Sequence, residues 1–183
     1  MSKKIVVLNG SPRRSGNTCA LVQEFAKGAE ESGNTVTIFQ LGEMNIHGCK
    51  GCSCGHSSRE FPCAQRDDMD QIYPAVRECD VIVLASPLYF WNMSGQLRTA
   101  VDRLLALGEG DGNRLGGNGR ASVLLMAAAG NEFEDVALYY DHLAEHLQWK
   151  NLGHVLAGGN NGLGDIAGKP ELQKAYELGK SIR

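Results

Sequence analysis

Gly10-Ser11-Pro12-Arg13-Arg14-Ser15-Gly16-Asn17-Thr18 is the stretch whose residue types are best suited to chemistry. It follows an apolar run, Lys3 to Leu8, and leads into an amphipathic segment, Cys19 to Gly33. The order strand, small-residue loop, helix sets unpaired backbone N–H groups at a helix N-terminus, where the helix dipole favours an anion. Ser11, Ser15, Asn17 and Thr18 add hydroxyl and amide donors. Gly10 and Gly16 let the backbone come close, and Arg13 and Arg14 balance charge. The loop lacks the Gly-Lys-Ser/Thr ending of a Walker loop and the G-x-G-x-x-G pattern of a dinucleotide loop. Neutral hydroxyls with little cation suit a phosphate monoester that is bound and never transferred. Without a ligand, the same residues make a polar strand–helix turn with Ser and Asn as caps.

A second stretch, Pro87-Leu88-Tyr89-Phe90-Trp91-Asn92, sets three consecutive aromatics after the apolar run Asp80–Ser86. Such a loop can hold a flat aromatic ligand by ring contacts and backbone N–H groups, and donors at a flavin's edge stabilise charge on the reduced ring. Without a ligand, the three rings would cover the sheet end or a subunit interface. A third constellation is four of the six cysteines, in Cys49-Lys50-Gly51-Cys52-Ser53-Cys54 and Cys63. In a reducing compartment, clustering of this kind points to metal or redox chemistry in place of a disulfide framework. The spacing leaves three readings: four thiolates for a [4Fe–4S] cluster, a closed zinc site, or free thiols with a redox pair such as Cys49 and Cys52. Cys19 and Cys79 fall in expected helices and read as packing residues. Tyr89 and His56 could donate protons, but no spacing assigns that role.

The elements that must position these residues alternate along the chain. Expected strands are Lys3–Leu8, Thr35–Leu41, Asp80–Ser86, Ser122–Ala129 and His154–Ala157. Expected helices follow them, with Leu97, Val101, Leu104 and Leu105 on one apolar face and Phe133, Val136, Tyr140, Leu143 and Leu147 on another. Asp67-Asp68 opens a short helix through Cys79, and Pro170 opens the last one. Five strands and five helices in alternation predict an α/β sandwich with a parallel sheet and helices on both faces. A polar, edge-like second strand favours the flavodoxin-like order 2-1-3-4-5. Loops that follow strands then share one sheet edge: Asn9–Asn17, Gly42–Arg66, Pro87–Ser94, Gly130–Asn131 and Gly158–Gly168. Gly108–Gly119 precedes a strand and is expected at the opposite edge, mobile and without function.

Composition bounds the rest. A chain of 183 residues, 43% hydrophobic and 21% charged, is ordinary for one soluble domain over residues 1–183. A net charge of −3 and no basic stripe argue against nucleic acid. No signal peptide and no membrane span are legible, so a cytoplasmic location is expected.

The phosphate loop, then Asp67-Asp68-Met69, Ser86-Pro87-Leu88-Tyr89-Phe90, Val101-Asp102-Arg103 and the ending from Gly164-Asp165-Ile166 to Leu178-Gly179 come in order over nearly the whole chain. Together they resemble the NADPH-dependent FMN reductase and iron–sulfur flavoprotein group of the flavodoxin-like superfamily. The resemblance implies FMN phosphate on Ser11, Arg13, Ser15, Gly16, Asn17 and Thr18. It implies the flavin ring beside Pro87, Leu88, Tyr89, Phe90, Trp91 and Asn92, flanked by Ala129 and Gly130. It implies NADH or NADPH as donor and a quinone, a nitro or azo compound, free flavin or a redox protein as acceptor. It also implies a homodimer or homotetramer with the flavin near a subunit interface, and no catalytic side chain beyond the flavin. Iron–sulfur members ligate a [4Fe–4S] cluster from four cysteines, here Cys49, Cys52, Cys54 and Cys63. This sequence departs from that motif: one residue separates the second and third cysteines where the pattern has two, and the last gap is longer.

Overall fold

The computed structural model describes residues 2–53, 58, 60–108, 115–117 and 119–183. Its strands are β1 (Lys4–Asn9), β2 (Thr35–Gln40), β3 (Val81–Tyr89), β4 (Asn92–Met93), β5 (Ala121–Ala127) and β6 (Lys150–Ala157). Its helices are α1 (Asn17–Glu31), α2 (Met69–Glu78), α3 (Gly95–Arg103), α4 (Leu105–Gly108), α5 (Glu134–His146) and α6 (Pro170–Lys180). The five parallel strands run β2-β1-β3-β5-β6, and β4 pairs antiparallel with the end of β3. With β4 set aside, this is the expected 2-1-3-4-5 order. No helix among the described residues is long and apolar enough to cross a membrane.

Both faces of the central strands are covered, which is why they read as unbroken apolar runs. Ile5, Val7, Val81, Val83, Val123 and Leu125 pack against α1 and α6. Val6, Leu8, Ile82, Leu84, Leu124 and Met126 pack against α2, α3, α4 and α5. On the first face α1 and α6 approach backbone to backbone. A Cβ at Gly28 would collide with the Tyr176 carbonyl, and one at Gly179 with the Phe25 carbonyl.

Several element boundaries differ from expectation. The segment Pro87-Leu88-Tyr89 is not loop: β3 runs on through it, with Pro87 in register with Ala127 of β5 and Leu88 and Tyr89 paired with β4. β6 begins at Lys150, four residues before the expected His154, because the half-exposed edge strand hides its apolar signal. The helical pattern after Ser94 breaks at Leu104 into α3 and the short α4. Cys79 is the residue that ends α2, buried beneath Arg120, and burial pushes its thiol up to about 11. Of the expected mobile loop Gly108–Gly119, residues 109–114 and Asn118 lie outside the described residues.

Candidate functional site

The C-terminal ends of β1, β3, β5 and β6 converge on a cleft of about 320 Å³. The phosphate loop forms one wall through Ser11, Pro12, Arg13, Gly16, Asn17 and Thr18. Pro87, Leu88 and Tyr89 form another, and Ala127, Ala128, Ala129, Asn160 and Asn161 complete it. This is the switch point between β1 and β3, where open α/β sheets hold their ligands.

The loop shapes itself from within. Ser11 N–H donates to Asn9 Oδ1 (3.0 Å), and Ser11 Oγ donates to the Arg13 carbonyl (3.0 Å). Cys19 Sγ donates to the same carbonyl (2.9 Å) while accepting from Asn9 Nδ2 (3.2 Å). Cys19 is therefore buried packing that also braces the loop. Gly16 is the residue before α1, and no side chain caps the helix there. The first-turn N–H groups of a fifteen-residue helix thus open on the cleft wall without a side-chain acceptor.

Other expected residues have different positions. Asn17 lines the cleft, but its amide latches the 158–168 loop. Nδ2 donates to the Gly162 carbonyl (2.8 Å), and Oδ1 accepts from the N–H groups of Gly164 (3.1 Å) and Ile166 (3.4 Å). Ser15 is exposed at the loop tip, and Arg14 pairs with Glu43. Ser15, Phe90, Trp91, Asn92 and Gly130 stand outside the cleft lining. Pro12, Ala127, Ala128, Asn160 and Asn161 line it and were not singled out in the sequence. Topology had placed the 158–168 loop at this edge, but two asparagines among glycines carry no pattern that marks a wall.

The aromatic stretch is a hairpin tip. Phe90 and Trp91 both adopt left-handed backbone, φ 48° and 60°, as the centre of the turn joining β3 to β4. Two positive φ values are the signature of a type I′ turn, where Asn-Gly is the preferred pair. Phe90 is 93% exposed and Trp91 59%. The hairpin base is pinned to the phosphate loop. Ser94 N–H donates to Ser86 Oγ (2.8 Å), and Ser94 Oγ donates to the Gly10 carbonyl (2.8 Å). Gly10 N–H donates to the Ala85 carbonyl (2.8 Å), and a Cβ at Gly10 would lie 2.7 Å from Leu97 Cβ. Glycine is required there because α3 comes that close.

Beside the cleft, the cysteine segment is closed at its neck. Arg103 Nη1 and Nη2 donate to the two carboxylate oxygens of Asp67 (2.6 and 3.1 Å), and both side chains are 1% exposed. Arg103 Nη1 also donates to the His47 carbonyl (2.8 Å), and Asp67 accepts from His47 N–H (3.0 Å) and Met69 N–H (3.1 Å). Burial works to raise the Asp67 carboxyl, but Arg103 and the two backbone donors outweigh it and hold the group below the usual carboxylate range. Neither role was read from the sequence, although Asp67 and Arg103 both stood in the motifs quoted there. Cys49 and Cys52 are exposed and Cys63 is half-buried. Cys49 Sγ accepts from Gly51 N–H and Cys63 Sγ from Gln65 N–H, each at 3.4 Å. Among the described residues no three His, Cys, Asp or Glu side chains are grouped to hold a metal ion. Cys54 and His56 lie outside the described residues.

A family model described as NADPH-dependent FMN reductase matches residues 3–162. The chain belongs to that family. As an FMN reductase family member it is an oxidoreductase that uses FMN and NAD(P)H. It is 35% identical over 182 residues to an iron–sulfur flavoprotein of Archaeoglobus fulgidus, covering 98% of this chain and 78% of that one. It is 29% identical over 171 residues to an iron–sulfur flavoprotein of Methanosarcina thermophila, covering 91% and 83%. In fold it is similar to the NAD(P)H:quinone oxidoreductase from Methanothermobacter marburgensis, with TM-score 0.74 at 17% identity over 98% of this chain and 96% of that one. The residues present in this FMN reductase family member suit FMN. The uncapped N-terminus of α1 offers N–H donors suited to an anion, and the small side chains Ala127, Ala128 and Ala129 line the cleft opposite Tyr89 with room for a flat ring.

Proposed function

We propose that residues 1–183 form one flavodoxin-like FMN-binding domain that takes reducing equivalents from NADH or NADPH and delivers them to a small molecule. Quinones, nitro and azo compounds and free flavin are the acceptor class. The uncapped N-terminus of α1, opening on the cleft at the sheet's switch point, carries this reading. FMN, when bound, supplies the redox chemistry at its ring. The chain's own residues bind and orient it. Gly16, Thr18 and the first-turn N–H groups of α1 hold the phosphate, with Arg13 and Ser15 at its outer side. Pro87, Leu88 and Tyr89 border the ring, flanked by Ala129. Phe90, Trp91, Asn92 and Gly130 extend that border at the cleft mouth. The protein works in the cytoplasm as a homodimer or homotetramer, with no nucleic acid or membrane partner.

Gly16→Asp tests the phosphate assignment. Its backbone (φ −77°, ψ 166°) suits any residue, a Cβ there would press on Arg13 Cβ and Ser11 Oγ at 3.3 Å, and a carboxylate caps α1 and occupies the place of the phosphate. FMN affinity is expected to fall at least about a hundredfold while the protein stays folded, the gained cap offsetting the crowding at Arg13 and Ser11. FMN titration followed by flavin fluorescence measures it, and unchanged affinity removes the assignment.

A second reading is an iron–sulfur electron carrier serving a redox protein, with Cys49, Cys52, Cys54 and Cys63 as ligands. Backbone donors to the sulfurs of Cys49 and Cys63 favour it, because N–H groups stabilise thiolate charge. Protein purified without air, assayed for iron and acid-labile sulfide beside its absorption spectrum, separates the two. About four irons per chain, lost in Cys52→Ser with flavin retained, supports the cluster. A two-band flavin spectrum without iron supports the simple reductase.

A further inference from the structure

The tip of the loop after β6 is held by one side chain. Residues 161–165 are all exposed, so no buried side chain anchors them. The loop's ends are fixed separately. Lys169 Nζ donates to the carbonyls of Gly158 (2.9 Å) and Gly159 (2.8 Å), and Ile166 is buried in the core beneath α1 and α6. Between those ends, among the described residues, every hydrogen bond that ties residues 161–165 to a residue outside the loop ends on Asn17. Its Nδ2 donates to the Gly162 carbonyl (2.8 Å), and its Oδ1 accepts from Gly164 N–H (3.1 Å) and, just beyond the tip, from Ile166 N–H (3.4 Å). The tip's other bonds are internal: Gly162 N–H to Asp165 Oδ2 (2.6 Å) and Ala167 N–H to the Gly164 carbonyl (2.9 Å). Freed from Asn17, a tip built on Gly162 and Gly164 would spread over many conformations.

That tip enters the cleft. Asn160 and Asn161 line it together with Gly16, Asn17 and Thr18. Asn160 is set by its own bond, N–H to the Ala128 carbonyl (2.8 Å). Asn161 is set through its neighbour Gly162, and so through Asn17. The amide that the resemblance gave to a phosphate is engaged by the loop. Exchanging its nitrogen and oxygen would put oxygen against a carbonyl and NH2 against two N–H groups, so its partners fix its orientation. We propose that Asn17 is a positioning residue for the cofactor. It acts through the loop, holding Asn161 in the cleft wall against the start of α1. Cofactor binding and loop order are then one coupled equilibrium, and each strengthens the other. This rests on reading the cleft as the FMN site.

A double-mutant cycle tests it. Asn17→Ala removes the latch and keeps the backbone N–H groups of α1. Gly164→Val touches neither Asn17 nor the cleft lining, and a Cβ there meets open space. It loosens the tip by conformation alone, because a β-branched residue disfavours the φ of 82° found there. Wild type, both variants and the double variant are titrated with FMN by flavin fluorescence. Each single variant is expected to bind FMN about tenfold more weakly. The double variant is expected to match the weaker single one, since the tip is released only once. Hydrogen exchange gives a second reading that in wild type needs no variant. FMN is expected to slow exchange at the Gly164 and Ile166 N–H groups at least about tenfold in wild type and to leave it unchanged in Asn17→Ala. Factors that multiply in the double variant overturn the proposal, since Asn17 would then act on FMN apart from the loop. Unchanged FMN affinity in either single variant, or exchange at those two groups that ignores FMN in wild type, also overturns it. Failure of wild type to bind FMN at all overturns the FMN assignment itself, and this proposal with it.

Discussion

Asp67 and Arg103 do for the cysteine segment what Ser94 does for the phosphate loop: one buried contact joins stretches far apart in sequence. A buried pair is dangerous to halve, because the survivor is left as an uncompensated charge. Asp67→Asn is expected to destabilise the protein by about 3–5 kcal/mol, read as a lower urea midpoint. The pH dependence follows in sign. The folded Asp67 carboxyl titrates below its unfolded value, near 3.9, so its contribution is present above that value and is lost as pH falls through the folded one. Wild type therefore loses stability on acidification below about pH 4 by a component that Asp67→Asn lacks. Superimposable acid-unfolding curves would deny Asp67 this role. Neither partner's role was legible, because an Asp before a helix and an Arg at the end of another each have an ordinary local explanation.

The aromatic hairpin is the element whose local chemistry disagrees with its conformation. Bulky residues at positive φ are unfavourable by roughly 1 kcal/mol or more each, and here two stand in succession. The strain persists because Ser86 and Ser94 hold the hairpin's base in place. Exchanging the pair for the favoured turn, Phe90→Asn with Trp91→Gly, is expected to raise unfolding stability by about 1–2 kcal/mol. Removing two projecting rings is expected to shift the proposed homo-oligomer toward monomer. Denaturant titration and sedimentation velocity on the same sample report both. A variant less stable than wild type would mean that the rings serve the fold itself. The sequence showed the three aromatics and their place after a central strand. It did not show that β3 runs on through Pro87, Leu88 and Tyr89, since a strand's end is set by where its partners stop.

At the scale of the whole molecule, the site is a meeting of loops. The sheet order brings the phosphate loop, the β3–β4 hairpin, the residues after β5 and the 158–168 loop to one edge. Periodicity and strand–helix alternation were enough to derive that edge, because burial on both faces writes continuous apolar runs and covering helices write amphipathic ones. The loop before α1 was legible for a similar reason: a helix N-terminus preceded by glycine and hydroxyl residues is a local feature. The sequence by itself determined the layered fold, the edge where the strand-following loops gather and the glycine- and hydroxyl-rich approach to α1, since each follows from spacing within a few turns of chain. Only the tertiary structure decided that Asn17 latches a loop 145 residues away, that Asn160 and Asn161 stand in the cleft wall, and that Asp67 and Arg103 close the cysteine segment. Those are contacts between residues distant in sequence, and hydrogen bonds across such distances leave no periodicity to read.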